Sequence, residues 1–202
     1  RMVGGVPVVI DTREEDGFKV TPQELSAAIT PKTKCMILNN PSNPTGMMYG
    51  RKELEEIARV CVEKDIYVIS DEIYCNLVYD GEEFVSLAAI SPEIKERTVL
   101  INGVSKSYAM TGWRIGYTAA NAQVAKVISN YLSHCTGSPC TISQKAACTA
   151  YTASQEQVET MRQAFEERRN YIVERMNRIE GVSCIRPEGA FYVMMNIEKL
   201  VG

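Results

Sequence analysis

The sequence predicts an α/β fold: three layers, with helices on both faces of a mostly parallel sheet, followed by the first elements of a truncated small α+β domain. Three observations predict it. Short apolar runs of strand length alternate with stretches of helical periodicity, the signature of strand–helix–strand units. Several of those runs end in polar side chains, as the carboxyl edge of an open sheet does when it holds a ligand. A long helical stretch after residue 154 then leads into short strand-like runs that cannot belong to the same sheet repeat.

Taken in order, "VPVVI" (6–10) reads as a short strand, with Pro7 at its edge or first residue. "TPQELSAAI" opens a short helix, with Thr21 as cap, Pro22 at the first helical position and Glu24 closing a capping box. "KCMILNN" (34–40) is an apolar run ending in amides, and "PSNPTG" is a turn. A helix follows over residues 51–64, with Leu54, Ile57, Ala58 and Cys61 on one face. "IYVISDE" (66–72), "TVLIN" (98–102) and "RIGYTAA" (114–120) complete the strands, with helices near 122–133 and 142–152. Ser154 and Gln157 read as a second capping box, opening a helix of about 26 residues and about 39 Å that Gly181 stops. Val158, Met161, Phe165, Ile172, Met176 and Ile179 recur on one face of it, so it is expected to lie along a core and to cross between domains. "VSCI" and "AFYVMMNI" read as strands of the small domain. The expected division is 1–170 for the core of the large domain and 171–202 for the end of the linking helix and the start of the small one. Both ends read as cut, so the chain is expected to be a fragment.

The chain has 202 residues, 45% hydrophobic and 23% charged, an ordinary balance for a globular protein. Its formal net charge of -3 offers no basic field for nucleic acid. No apolar run approaches the roughly 20 residues of a membrane span, and "RMVGGVPVVI" lacks a secretory pattern. The seven cysteines form no CxxC pair, and with His134 as the single histidine a zinc site is not expected. Reduced thiols in a cytoplasmic protein are the expectation.

The informative stretch is "INGVSKSYAMTGWRIGY" (101–117), where Lys106 and Arg114 stand eight positions apart with no carboxylate near them in sequence. If buried, such cations are costly unless an anion lies between them. The strand ends supply the rest of a site: Asn43, Asp71, Lys106 and Arg114, with Tyr74 three residues after Asp71. Taken singly, each has a bland explanation. Asn43 is a common turn former, Asp71 a cap, Lys106 a surface residue, and Arg114 a side chain that snorkels. Taken together, an amide, a carboxylate, an amine and a guanidinium suit a phosphorylated aldehyde on a pyridine ring, pyridoxal 5'-phosphate. A desolvated lysine amine forms a Schiff base with an aldehyde. An aspartate keeps the ring nitrogen protonated so that the ring draws electrons. A guanidinium grips phosphate through two parallel bonds. Asn43 and Tyr74 suit the ring's phenolic oxygen, and Ser105 and Ser107 offer hydroxyls beside the lysine. Trp113 reads as a core aromatic, and "TGSPCTISQ" (136–144) as a loop between helices.

"NNPSNPTG" (39–46), "SDEIYCNLVYDG" (70–81), "GVSKSYAMTGWRIG" (103–116) and "PEGAFY" (187–192) together resemble the class I/II pyridoxal-phosphate aminotransferases of the aspartate aminotransferase type, fold type I. The resemblance runs over nearly the whole chain in the family's order. It implies a transaminase that moves an amino group between an amino acid and a 2-oxo acid, a homodimer without nucleic-acid or membrane partners. Lys106 would be the catalytic lysine, bound to the cofactor and shuttling a proton. Asp71 would face the pyridine nitrogen, Asn43 and Tyr74 the phenolic oxygen, and Arg114 the phosphate. Ser105 would be the small residue before the lysine. Gly103 stands where relatives often carry a phosphate-binding serine. The resemblance also implies that the N-terminal phosphate loop, the ring-stacking aromatic and the substrate-binding C-terminal arginine lie outside this chain, so the piece alone is expected to be weak or inactive. The same motifs serve carbon–sulfur β-lyases, and a related domain serves as the effector module of some transcription regulators.

Overall fold

A computed structural model describes residues 4–201. The elements are α1 (Pro22–Ala28), β1 (Cys35–Asn39), α2 (Arg51–Glu63), β2 (Tyr67–Asp71), α3 (Pro92–Lys95), β3 (Thr98–Gly103), β4 (Gly116–Ala119), α4 (Ala122–Cys135), α5 (Thr141–Thr152), α6 (Glu156–Met176), β5 (Ser183–Cys184), β6 (Met195–Asn196) and α7 (Glu198–Val201). The main sheet runs β1-β2-β3-β4. The first three strands are parallel, aligning Asn39 with Asp71 and Asp71 with Ile101, while β4 returns antiparallel and pairs Gly116 with Gly103. This is the α/β arrangement with a mostly parallel sheet. Because β4 reverses, its amino end lies beside the carboxyl ends of the other three, and all four chain segments open on one edge.

Local signals explain the elements. Thr21 caps α1 by accepting from the Glu24 N–H, while the Glu24 carboxylate accepts from the Thr21 N–H, so two otherwise orphaned donors are satisfied. The stripe Leu54, Ile57, Ala58 and Cys61 of α2 is buried against Leu38 of β1 and Val68 of β2, in one cluster with Leu87 and Ile94. Each large side chain so buried contributes about 1.5–3 kcal/mol. On the other side of the sheet Ile37 is 72% exposed, while its neighbour Ile69 is half-buried.

Four expectations need correction. Residues 6–10 form no strand; Val6, Val8 and Val9 are exposed and meet no partner strand among the described residues, and an unpaired strand has no ladder to hold it. Helix α6 begins at Glu156 with Gln155 as cap, so the Ser154–Gln157 box does not form. Ser154 instead accepts from the Glu156 N–H, and the Gln155 amide folds back onto the Ala150 and Ala153 carbonyls. The helix has 21 residues, about 31 Å, and its apolar face is only partly covered: Val158 is buried, Ile172 and Ile179 are exposed. Within "AFYVMMNI" only Met195–Asn196 is strand; the stretch opens with Ala190 in the left-handed region, at φ 57, its N–H donated to the Leu77 carbonyl rather than to a sheet ladder.

The most buried side chain of α6 is an arginine. Arg169 is 4% exposed and grips Asp80 with two bonds, at 2.7 and 2.9 Å, while Arg186 reaches Asp80 from the other side. These two guanidinium groups hold the Asp80 carboxyl at about 2. A carboxyl lowered from an ordinary value of about 4 stabilises the fold fully above that pH, and the contribution fades as pH falls toward 2. Asp80→Asn is therefore expected to lower the thermal midpoint at pH 7 by several degrees, through the buried guanidinium left short of a counter-charge. It is also expected to flatten the acid limb between pH 4 and 2, in part only, because Glu159 is likewise held low by Arg162. Thermal melts of both proteins across that range check this.

Candidate active site

The turn after β1 is fixed by two amides. Asn39 accepts from the Asn43 N–H at 2.6 Å and donates to the Asp71 carbonyl, and Asn40 exchanges bonds with the Tyr49 main chain. This brings Asn43 over the end of β2. Gly46 closes the turn at φ +72, where any Cβ would lie 2.5 Å from that of Pro187. Asp71 is the last residue of β2, half-buried, and its carboxylate accepts from the Ile73 N–H at 3.2 Å.

Tyr74 is 3% exposed. Its hydroxyl lies 2.7 Å from the Tyr192 hydroxyl, and its ring meets Phe191 edge-on at 5.3 Å between centroids. Burial pushes its phenol well above the ordinary value, the bond to Tyr192 and the Asp71 charge push the same way, and the nearby Asn43 side chain opposes them. Tyr74 therefore stays protonated, close to groups from the β1 and β2 ends.

Lys106 follows β3 on a turn that carries two non-glycine residues in the left-handed region, Ala109 (φ 53) and Arg114 (φ 55), a conformation that costs about 1–3 kcal/mol each. Its amine stands 5.9 Å from the Tyr74 ring centre and 5.6 Å from that of Phe191. With Ser105, Thr111, Phe165, Arg168 and Phe191 it lines a cavity of about 340 Å³. Among the described residues neither Lys106 nor Arg114 makes an ion pair.

The structure thus brings Asn43, Asp71, Tyr74, Ser105 and Lys106 to one edge of the sheet. Arg114 is anchored to the same loop, donating to the Thr111 carbonyl at 2.8 Å, but its side chain is exposed and makes no hydrogen bond to the others among the described residues. Lys106 is half-buried, so the premise of two buried cations holds in part for the lysine and not for the arginine. Trp113 is 44% exposed, on a single helical turn that Arg114 ends by reversing the backbone, and is not a core aromatic. Ser107 is buried, and its hydroxyl has no partner among the described residues.

Gly103 has a steric reason. A Cβ there would stand 2.7 Å from the Ile115 carbonyl and 2.9 Å from the Gly116 Cα, because the two glycines face each other across β3 and β4. Gly103→Ser is expected to push β4 away and cost about 1–3 kcal/mol, read as a lowered unfolding midpoint in urea. The strand pair excludes a hydroxyl at that position.

Sequence reading did not assign Phe191 and Tyr192 a role beyond their motif. The aromatic pair directly after "PEGA" was the available signal, but its partner, Tyr74, lies 118 positions away.

Against known proteins, the family model for aminotransferase class I and II matches residues 1–201. The chain belongs to that family. It is 50% identical to an aspartate aminotransferase of Geobacillus stearothermophilus over 98% of this chain and 51% of that one. It is 47% identical to an asparagine–oxo-acid transaminase of Streptococcus mutans serotype c, again over 98% of this chain and 51% of the other. The crystal structure of the aspartate aminotransferase from Rhizobium meliloti superposes with a TM-score of 0.94 at 38% identity, over 96% of this chain and 49% of that one. The chain spans about half the length of the curated relatives it matches.

Proposed function

We propose that the protein is a pyridoxal-phosphate-dependent transaminase, and that this chain carries its cofactor-holding lysine. The observation that supports it most is the amine of Lys106, in no ion pair among the described residues, in an aromatic-walled cavity beside a phenol that burial keeps protonated. The donor set fits the cofactor that family membership implies: an amine for the aldehyde, a carboxylate for the ring nitrogen, and an amide and a phenol for the ring oxygen. When bound, pyridoxal phosphate supplies an electron-withdrawing ring that makes the substrate's α-proton removable.

The chain's own groups do the rest. Asp71 would keep a proton on the ring nitrogen; it stands at the carboxyl end of β2, where its carboxylate accepts from the Ile73 N–H. Asn43 and Tyr74 would donate to the ring oxygen. Ser105 and Arg114 would hold the phosphate, and the Arg114 guanidinium is tied to the lysine loop by its bond to the Thr111 carbonyl. The Lys106 amine would take the proton from the substrate α-carbon and deliver it to the carbon that was the cofactor's aldehyde. Phe165 and Phe191 exclude water from that transfer.

Substrates are an amino acid and a 2-oxo acid. A homodimer fits the apolar face of α4 and α5, where Val127, Tyr131, Leu132 and Ile142 are exposed. No helix among the described residues is long and apolar enough to cross a membrane, and a cytoplasmic setting suits the seven free cysteines. We propose that the large unit spans 1–170 and that 171–202 begins the small one, a boundary inside α6. The test is to incubate the full-length protein with a panel of amino acids and α-ketoglutarate. A new amino acid formed from the acceptor supports transfer; pyruvate and ammonia released without an acceptor would replace it with a lyase.

A further inference from the structure

The densest polar cluster away from the lysine cavity joins α6 to the segment that delivers Phe191 and Tyr192. Besides Asp80, the Arg169 guanidinium donates to the Pro187 carbonyl at 2.6 Å. Its plane lies 4.8 Å from the Tyr79 ring centre, and its buried Nε has no partner among the described residues. Burying a guanidinium against a backbone carbonyl is an expensive way to dock a helix that could use leucine. What the arginine holds is the start of a clamped run. The Glu188 and Gly189 N–H groups donate to the Gly46 carbonyl at 2.9 and 2.8 Å, and the Ala190 N–H to the Leu77 carbonyl at 2.8 Å. The Tyr79 hydroxyl donates to the Ala190 carbonyl. Residues 187–190 are thus pinned one after another, and the next two side chains arrive at Lys106 and Tyr74 with little freedom left.

We propose that Arg169 is a positioning residue. Through Asp80 and the Pro187 carbonyl it seats the Tyr192 hydroxyl on that of Tyr74, and so sets how Tyr74 presents its proton to the group held by Lys106. This rests on the cofactor reading above for its last step only. The groups that face Tyr74 are Tyr192 from this segment, Asp71 from β2, Asn43 from the first turn and Lys106 from the β3–β4 loop. Of these, Tyr192 lies on the segment that Arg169 bonds directly, while the Asn43 turn meets that segment through the Gly46 carbonyl.

The test uses the full-length protein carrying fluorotyrosine, with the Tyr74 fluorine resonance assigned by Tyr74→Phe. It compares Arg169→Met, Arg169→Lys, Tyr192→Phe and the Arg169→Met/Tyr192→Phe double variant. In the cofactor-free protein, Tyr192→Phe and Arg169→Met are expected to move the Tyr74 resonance in the same direction, and Arg169→Lys by less, since lysine keeps the charge but not the two-pronged grip. In the cofactor-loaded protein, both are expected to shift the pH titration of the lysine–cofactor absorbance by about half a pH unit or more. Arg169→Met added to Tyr192→Phe should shift neither readout further. A Tyr74 resonance at its parental position in Arg169→Met, whatever happens to the melting temperature, overturns the proposal, as does an effect undiminished in the double variant. If Arg169→Met does not fold, Arg169→Lys carries the same comparison. Failure of the parent to form a lysine adduct would sink the transaminase reading instead, and the cofactor-free resonance would still decide on Arg169.

Discussion

Lys106→Ala in the full-length protein is expected to abolish the covalent cofactor adduct and to lower amino-group transfer on the order of 10⁴-fold, the scale of a positioned proton carrier. Dialysis should then remove a cofactor that the parent retains, and borohydride should fix no label in the chain. The fold should survive. Lys106 is half-buried and makes no ion pair among the described residues, so alanine leaves no charge stranded and removes only a flexible side chain beside Phe191. A reducible adduct that persists in this variant would mean that another lysine carries the chemistry. An unchanged melting temperature with the adduct gone would assign the loss to the amine itself.

Asp71→Asn tests the other pole of the site. Its structural bonds do not need the negative charge: the main-chain carbonyl accepts from the Asn40 N–H and the Asn39 amide, and an asparagine oxygen can still accept from the Ile73 N–H. The lysine adduct should therefore form as before. Transfer is expected to fall by about 10²–10³-fold, the usual cost of deleting one preorganised electrostatic partner of the reacting group. Single-turnover measurement of the amino acid half-reaction reads this directly. Normal rates in Asp71→Asn would show that the carboxylate does not face the ring nitrogen.

Much of the fold could be read locally. The 51–64 helix and the three apolar runs ending at Asn39, Asp71 and Gly103 appear within a residue or so of the expected bounds, because periodicity and burial act over single turns and single strands. The capping box at Thr21 formed because both partners sit three residues apart on one turn. The similar pattern at Ser154 did not, since Gln155 found nearer carbonyls in the end of α5. Residues 6–10 have strand composition, but a strand is a pairing and the pattern carries no partner. Trp113 shows the same limit: an indole reads as core by hydrophobicity, yet the left-handed turn at Arg114 directs the chain elsewhere. Of the site, Asn43, Asp71, Tyr74, Ser105 and Lys106 were legible as polar groups just past strand ends, where the topology of a parallel sheet collects them.

The amino-acid sequence by itself determined the class of fold, the order of its elements, the six candidate site residues and the family, since these depend on spacing and residue type along the chain. Tertiary structure alone decided that β4 runs antiparallel and brings Arg114 to the lysine's edge, and that a side chain at position 103 would strike the Ile115 carbonyl. It also decided that Tyr192 meets Tyr74 across 118 positions and that a buried arginine on α6 holds the segment in place. Those facts turn on distances between residues remote in sequence. Such contacts form only when several elements, each unremarkable alone, close around one another, and no periodicity along the chain records which of them will meet.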